Sequence, residues 1–322
     1  MIKVVNPNVE FWNQEGYTLN AIWKHIARCT RVAYQSTPKS ENEDAYEFLK
    51  RTIFKGKDVL NERLTKEDIL SMHLSCCEHA TVHLKYPKVL TRACVQFNER
   101  LRNNKYTRWK EYNGYIYVTT NMRVILETSV DELEFIDADN NDYNYMPRPT
   151  ISFITDIGAS RELNRHRVNS IVEESTRYCA YDKGKFGKGI TVAKLPWIPD
   201  VDPEDEAHDY TEGFFNDNEI FNDECIEEQH TDNWNAIDWF FYGLQICDLV
   251  YRKTRELGWT AQQAREILPL NTKTQVVHTA FVDDWEHWIA LRSSQISGKV
   301  HPMMNELSKQ IVEQVYPDKV CG

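Results

Sequence analysis

Two short runs of β-branched and aromatic residues restrict the fold class of this chain more than any other feature. Gly114–Thr120 reads GYIYVTT and Thr150–Thr155 reads TISFIT. Such side chains are stiff at χ1 and suit a pleated surface, so both runs predict strands. They lie among stretches whose apolar residues recur at helical spacing. Ala21, Ile22, His25 and Ile26 share one face, as do Tyr46, Leu49 and Ile53 after the acidic start Glu41-Asn42-Glu43-Asp44. Thr65-Lys66-Glu67-Asp68 has the form of a capping box and leads into Ile69, Leu70, Met72 and His73, which predicts a third helix. Residues 121–134 predict a short helix, and 137–144 (DADNNDYN) a polar loop. From Asp156 the pattern turns helical again, with Arg161 and Arg165, and Glu162 and His166, each four apart on one face. GKFGKG at 184–189 reads as a loop and 190–193 as a short strand. Residues 234–257, 285–291 and 303–315 read as amphipathic helices. The expectation is an α+β fold, helices packed on an antiparallel or mixed sheet, in one principal domain over 1–322.

Composition removes several function classes. Apolar residues are 41% of the 322, enough for a core, but no apolar run approaches the roughly 20 residues that span a bilayer. Met1-Ile2-Lys3-Val4-Val5-Asn6 lacks a signal-peptide core, so a soluble cytoplasmic protein without membrane contact is expected. With 49 acidic against 38 basic residues, the net charge of -11 disfavours general binding to nucleic acid. Eight cysteines, at 29, 76, 77, 94, 179, 225, 247 and 321, form no C-x-x-C pair. Neither a zinc site nor a disulfide framework is expected. No Lys or Arg occurs between Lys194 and Arg252, and the acidic stretch 199–230 reads as a solvated surface insertion. A protein-docking or polyanion-mimicking segment is the competing reading.

The densest chemistry lies between Asn164 and Tyr178. Arg165, His166, Arg167, Glu173, Glu174, Ser175, Thr176 and Arg177 fall within fifteen residues. Guanidinium groups are bidentate donors to phosphate and carbonyl edges, so a small anionic ligand such as a nucleotide monophosphate fits. An internal Arg–Glu network fits the charges equally well. No G-x-G-x-x-G run is present to suggest a dinucleotide-binding Rossmann unit.

The order of these residues is more specific than their charge. Arg165-His166-Arg167, seven residues, then Ser175, with Arg177-Tyr178 following, resembles the signature of the flavin-dependent thymidylate synthases. His73-Leu74-Ser75-Cys76-Cys77-Glu78-His79 is similar to that family's H-x-[TS]-x-x-E-H segment, and Ala27-Arg28-Cys29 with Tyr34 to its early A-R region. Ala264-Arg265-Glu266-Ile267-Leu268-Pro269 resembles A-R-x-x-L-P. His287-Trp288-Ile289-Ala290-Leu291-Arg292, with His301-Pro302 after it, resembles H-F-x-x-L-R. The resemblance implies that family's fold. It also implies reductive methylation of dUMP to dTMP, with methylenetetrahydrofolate as carbon donor and NADPH as reductant through FAD. A homotetramer with shared active sites is implied as well.

The implied roles follow position by position. Arg292 would polarise the uracil and stabilise its anion, a task for a preorganised donor in a water-poor site. Arg177 and Arg265 would hold the dUMP phosphate, helped by the Glu174-Ser175-Thr176 backbone, with Ser175 positioning the ligand. Glu162 and Glu173 would lie near the nucleotide. Arg165, His166 and Arg167 would meet the flavin, Arg165 touching both ligands. His73, Ser75, Glu78, Glu173 and His287 would complete the cofactor contacts.

The chain departs from the family at Thr279-Ala280-Phe281-Val282-Asp283, where T-x-N-x-R is usual and the Asn and Arg help to hold FAD. A ring replaces the amide and an acid replaces the cation. Two alternatives stay open on the sequence: a related pyrimidine-nucleotide hydroxymethylating enzyme, and a dUMP-binding relic that has lost FAD.

Overall fold

The computed structural model describes residues 2–40, 43–88, 99, 101–139, 143–182, 189–198, 234–293 and 299–315. The acidic stretch 199–230, most of GKFGKG, Glu41-Asn42, and Cys94, Cys225 and Cys321 lie outside them. Strands in chain order are β1 (Lys3–Val5), β2 (Asn8–Phe11), β3 (Thr81–Pro87), β4 (Arg108–Tyr112), β5 (Tyr115–Asn121), β6 (Thr150–Asp156), β7 (Ser170–Glu173), β8 (Thr191–Ala193) and β9 (Lys273–Thr279). Helices are α1 (Leu19–Tyr34), α2 (Ala45–Thr52), α3 (Lys66–Ser71), α4 (Met122–Thr128), α5 (Ile157–Leu163), α6 (Ala236–Glu256), α7 (Ala261–Ala264), α8 (Val282–Ser293) and α9 (Pro302–Val315). The chain divides into two compact units.

The larger unit holds residues 8–153, 162–174 and 275–322. Its first sheet, ordered β3-β5-β4, is antiparallel throughout, with Leu84 opposite Val118 and Trp109 opposite the same residue on the other side. A second sheet, ordered β2-β6-β9-β7, draws on residues 8–11, 150–153, 170–173 and 275–279 of this unit. Within it β7 and β9 are antiparallel. Helix α1 starts where Thr18 Oγ1 accepts from the Ala21 N–H at 3.3 Å, and it ends at Gln35 in the left-handed region, φ 47°. Its apolar stripe, Ile22, Ile26 and Cys29, is wholly buried with Trp23, Leu49, Phe54, Leu84 and Val118. Burial of a side chain such as Ile26 contributes roughly 2–3 kcal/mol. Thr65 and Asp68 close the expected capping box on α3.

Polar groups also run through this core. His25 meets Thr150 Oγ1 at 3.0 Å, Thr150 meets Thr279 at 2.7 Å, and Thr279 meets His79 Nδ1 at 2.9 Å, all buried. Burial, then the nearby Arg28 and Arg148, holds His25 down to about 4, and burial keeps His79 neutral well below the usual range. Each such bond contributes about 1 kcal/mol net, whereas a lost partner costs more.

The smaller unit holds residues 1–7, 154–161 and 175–274. β1 and β8 form a parallel pair, Val4 opposite Val192. Helix α6, capped by Asn235 and Asp238, buries Leu244 and Tyr251 against Cys179, Tyr181, Ile190, Val192 and Ala264. Its buried Asp248 accepts from the Ile190 N–H at 2.7 Å and from Arg252 Nε at 3.0 Å. Where α5 begins, Asp156 Oδ1 accepts from the Ala159 N–H at 2.7 Å. A Cβ at Gly158 would stand 2.9 Å from that oxygen and would push the Asp156 carboxylate off its bond to the Ala159 N–H.

The predicted strands at 114–120 and 150–155 and the helices near 234–257, 285–291 and 303–315 are all present. The helical pattern from Asp156 is shorter than expected. It stops at Leu163, and Ser170–Glu173 is a strand. The mostly helical first 80 residues also carry β1 and β2. No helix among the described residues is long and apolar enough to cross a membrane.

Candidate functional site

In the larger unit, one cluster ties the end of α8 to the turn after α5. Arg292, in the last turn of α8, donates from Nε to His166 Nε2 at 3.2 Å, from one terminal nitrogen to Glu162 Oε2 at 3.3 Å and from the other to the Glu162 carbonyl at 3.0 Å. The same Oε2 of Glu162 accepts from Arg165 at 3.0 Å, and Oε1 lies 2.9 Å from the same Arg165 nitrogen. The turn that allows this is local, since the Arg165 and His166 N–H groups bond back to the carbonyls of Glu162 and Leu163. Side-chain exposure is 16% for Arg292 and 23% for Glu162, against 72% for Arg165. The first pair is therefore shielded and fixed, while Arg165 reaches into solvent.

His166 completes the cluster as a neutral acceptor. Burial, then the charges of Arg292 and His287, lowers it to about 4. Its Nε2 faces the Arg292 donor, which leaves the ring proton on Nδ1. Its ring lies 5.9 Å from Trp288. On α8, Trp285 and Trp288 point into the core while His287 is exposed. Arg167 is exposed and has no side-chain hydrogen bond among the described residues.

Glu173 accepts from Asn164 Nδ2 at 3.1 Å. Glu174 is buried, and its N–H donates to the Gln275 carbonyl at 2.8 Å. In the 73–78 segment, His73 and Ser75 are exposed. Lys55, itself in the left-handed region at φ 55°, donates to His73 Nε2 at 2.8 Å. Glu78 is buried and ion-paired to Arg123 at 2.6 Å, so its carboxylate is already occupied by the fold.

In the smaller unit, Ser175 opens a turn. Its carbonyl accepts from the Tyr178 and Cys179 N–H groups at 3.1 and 2.9 Å, and its Oγ from the Arg177 N–H at 3.4 Å. Thr176 is half-buried and Arg177 exposed. Arg177 Nε donates to Gln262 at 3.1 Å, three residues before Arg265, whose side chain among the described residues bonds to its neighbour Glu266 at 3.3 Å. Arg177 and Arg265 are thus anchored to one short segment, with most of their donors unspent.

Sequence reasoning missed three further cations. Arg148 is buried, lowered to about 10 by desolvation, and donates to the Glu78 carbonyl at 2.7 Å and to Ser170 Oγ at 3.0 Å. It thereby joins the 73–78 segment to the residue that follows the R-H-R turn. Its position just before TISFIT was the available signal. Arg123 fixes Glu78. Arg108 lies over the buried Phe281 ring at 4.6 Å, with Asp283 and Asp284 each 3.9 Å away. A cation thus stands beside the departed T-x-N-x-R segment, supplied by β4. Arg165, Arg167, His73 and Ser75 are each exposed. Among the described residues no group of three His, Cys, Asp or Glu could hold a metal ion.

The model of the thymidylate synthase complementing protein family matches residues 138–318. A probable flavin-dependent thymidylate synthase of Paramecium bursaria Chlorella virus 1 is 34% identical over 68 residues, 21% of this chain and 32% of that protein. The match therefore spans about a third of the relative's length. Among solved structures, thymidylate synthase X of Helicobacter pylori with FAD and dUMP has 16% identity and a TM-score of 0.32, covering 52% of this chain and 66% of that one. The UMP/dUMP methylase PolB of Streptomyces cacaoi has 13% identity and a TM-score of 0.40, covering 98% and 92%. The family model covers more than half of the sequence and takes in both the R-H-R turn and Arg292, and the chain belongs to the thymidylate synthase complementing protein family.

Proposed function

We propose that this protein is a flavin-dependent thymidylate synthase that converts dUMP to dTMP, taking its carbon from methylenetetrahydrofolate and its reducing equivalents from NADPH. The observation that carries the reading is the triply held Arg292 guanidinium beside a neutral His166. A donor fixed before the reaction needs no reorganisation as charge develops on a uracil ring, and this is where electrostatic catalysis gains most. Bound FAD would supply the hydride chemistry that no side chain here can perform.

The chain's own residues then have separate tasks. Arg292 binds and polarises the pyrimidine, and Glu162 keeps its fork aligned. Arg177 and Arg265 receive the phosphate, which carries nearly two charges and takes two guanidinium forks. Ser175 shapes the turn that presents Arg177 and the backbone N–H groups of Ser175 and Thr176, the Glu174 N–H being spent on the Gln275 carbonyl. Its Oγ engages a backbone N–H, which suits a positioning role rather than a nucleophile's. Arg165, Arg167, His73, Ser75 and His287 would hold the cofactor, with Glu173 at its border with the nucleotide. Glu78 supports them through Arg123 and Arg148. Sites shared among four copies of the chain follow from the family resemblance.

The test is spectroscopic and chemical. After incubation with FAD and removal of the excess, the protein should keep flavin absorbance that NADPH bleaches. With dUMP and methylenetetrahydrofolate it should then form a product of the mass of dTMP. A product heavier by one oxygen would indicate hydroxymethylation. The Phe281–Arg108–Asp283 arrangement favours one second reading, a relic without FAD. A colourless protein that still binds dUMP would establish it and overturn the first.

A further inference from the structure

His278, on β9, is wholly buried and makes none of the hydrogen bonds of the Arg292 cluster. Its Nδ1 accepts from the Asn169 side-chain amide at 3.1 Å, at the end of the β7–β9 pair, in which Ile171 stands opposite His278. Asn169 is buried as well. Among the described residues the other polar atoms of the two side chains, Asn169 Oδ1 and His278 Nε2, have no hydrogen-bond partner.

One bond thus stands against the desolvation of an amide and an imidazole. A buried polar atom left unpaired costs more than a single hydrogen bond returns, so apolar side chains of the same shape would serve stability as well or better. The ring packs against Phe153, at 5.8 Å between centroids, and Trp285, at 6.3 Å, a wall that a phenyl group would suit equally. Stability therefore does not account for the pair, and position does.

Asn169 closes the turn that carries His166. Its N–H donates to the His166 carbonyl at 3.0 Å, and the His166 N–H to the Leu163 carbonyl at 3.1 Å. The turn is tied on both sides by side chains distant in sequence. Arg292 of α8 holds Glu162 before it, and His278 of β9 holds Asn169 after it. Between these ties the His166 ring has Trp288 at 5.9 Å and Arg292 Nε at 3.2 Å.

We infer that His278 is a positioning residue: through Asn169 it fixes the turn 164–169 and sets His166 where its Nε2 meets the Arg292 Nε–H. Only the kinetic consequence rests on the function proposed above. An Arg292 fork released on its His166 side loses part of the alignment that makes it a preorganised donor.

The test reads His166 directly, by nitrogen NMR of the imidazoles in the full chain without ligands. In the parent, His166 should carry its proton on Nδ1 and titrate at about 4, held there by burial and by the charges of Arg292 and His287 on α8. His278→Phe keeps a ring in the wall and removes the acceptor. Asn169→Leu removes the same bond from the other side, so the test survives a His278 variant that does not fold. In each, His166 should lose its fixed tautomer, and its titration should move up toward the ordinary 6.5. A change of surroundings alone would give the opposite sign. His278 is itself neutral in this range, lowered to about 3 by burial and then by His166, so its removal takes no charge from beside His166. A phenyl ring in its place adds apolar surface, which pushes a histidine titration down. His278→Asn, whose Oδ1 falls close to the place of Nδ1, should keep the parent's tautomer and titration. In turnover, kcat for dTMP formation should fall about tenfold in His278→Phe and in Asn169→Leu with KM for dUMP unchanged, and no further in the double variant.

An unchanged His166 tautomer and titration in either folded variant would overturn the inference. So would His278→Asn behaving like His278→Phe, which would assign the effect to ring packing, or a kinetic loss confined to KM. The imidazole measurement needs no turnover, so a protein that forms no dTMP can still pass it, and an active one can fail it.

Discussion

Arginines of the larger unit and of the smaller unit are held in opposite ways. Arg292 spends three donors on Glu162 and His166 and is largely shielded from solvent. Among the described residues Arg177 and Arg265 each have one side-chain hydrogen bond, to Gln262 and Glu266, and Arg177 stands in solvent. A pinned cation is costly to desolvate but is already aligned when charge develops, which serves catalysis. A loosely held cation keeps its donors for a mobile anion, which serves binding. On the function proposed above, the same residue type, in one family motif series, would be prepared for two tasks by its neighbours.

The largest effect expected from this contrast is at Arg292. Arg292→Ala should lower kcat for dTMP formation by about 10²–10³, the scale of one lost preorganised donor. Arg292→Lys should recover little, because a point charge cannot span Glu162 and His166 together. A loss confined to KM would break the comparison by making Arg292 another ligand-holding cation.

Much of the frame behind this was legible locally. TISFIT, GYIYVTT and the Thr65–Asp68 box announce themselves within a few residues, because strand stiffness and capping are short-range effects. What failed was anything decided by distant partners. Glu162 and His166 are four apart and suggested one helix face, yet the helix ends at Leu163, and both instead turn toward Arg292, well over 100 residues away. Thr81–Pro87 is not among the predicted strands although Thr-Val-His-Leu-Lys-Tyr alternates polar and apolar as a strand does; the structure buries most of its polar face as well, including His83. Arg148 looked like any surface cation. Its burial depends on the Glu78 carbonyl and Ser170, which no spacing rule connects.

Acid should separate the two units. Burial first, then neighbouring positive charge, lowers His25 and His166 to about 4 and His278 to about 3. All three belong to the larger unit. A histidine whose folded value lies below its ordinary 6.5 gives stability that is present above that pH and lost as pH falls toward the folded value. Between pH 6.5 and 4.5 the larger unit should therefore lose on the order of 2 kcal/mol for each fully buried histidine. Amide exchange at pH 7 and pH 4.5 reads this directly. Protection should fall roughly thirtyfold in the larger unit for the loss of one such contribution. Equal loss across residues 175–182 and 236–274 would show that the histidines do not set the acid limit.

The smallest effects separate a cation from the group that holds it. Arg177→Ala should raise KM for dUMP about tenfold with kcat nearly unchanged, since a charged hydrogen bond to phosphate is worth roughly 1.5–3 kcal/mol and part of it is recovered by Arg265. Gln262→Ala removes only the anchor. The Arg177–Gln262 bond is exposed, and water replaces it at little cost, so KM should move less than about threefold and stability by under about 0.5 kcal/mol. If Gln262→Ala instead matched Arg177→Ala, the smaller unit would be preorganised like the Arg292 cluster. The distinction between a fixed catalytic cation and a free binding one would then lie in where each points, and not in how tightly it is held.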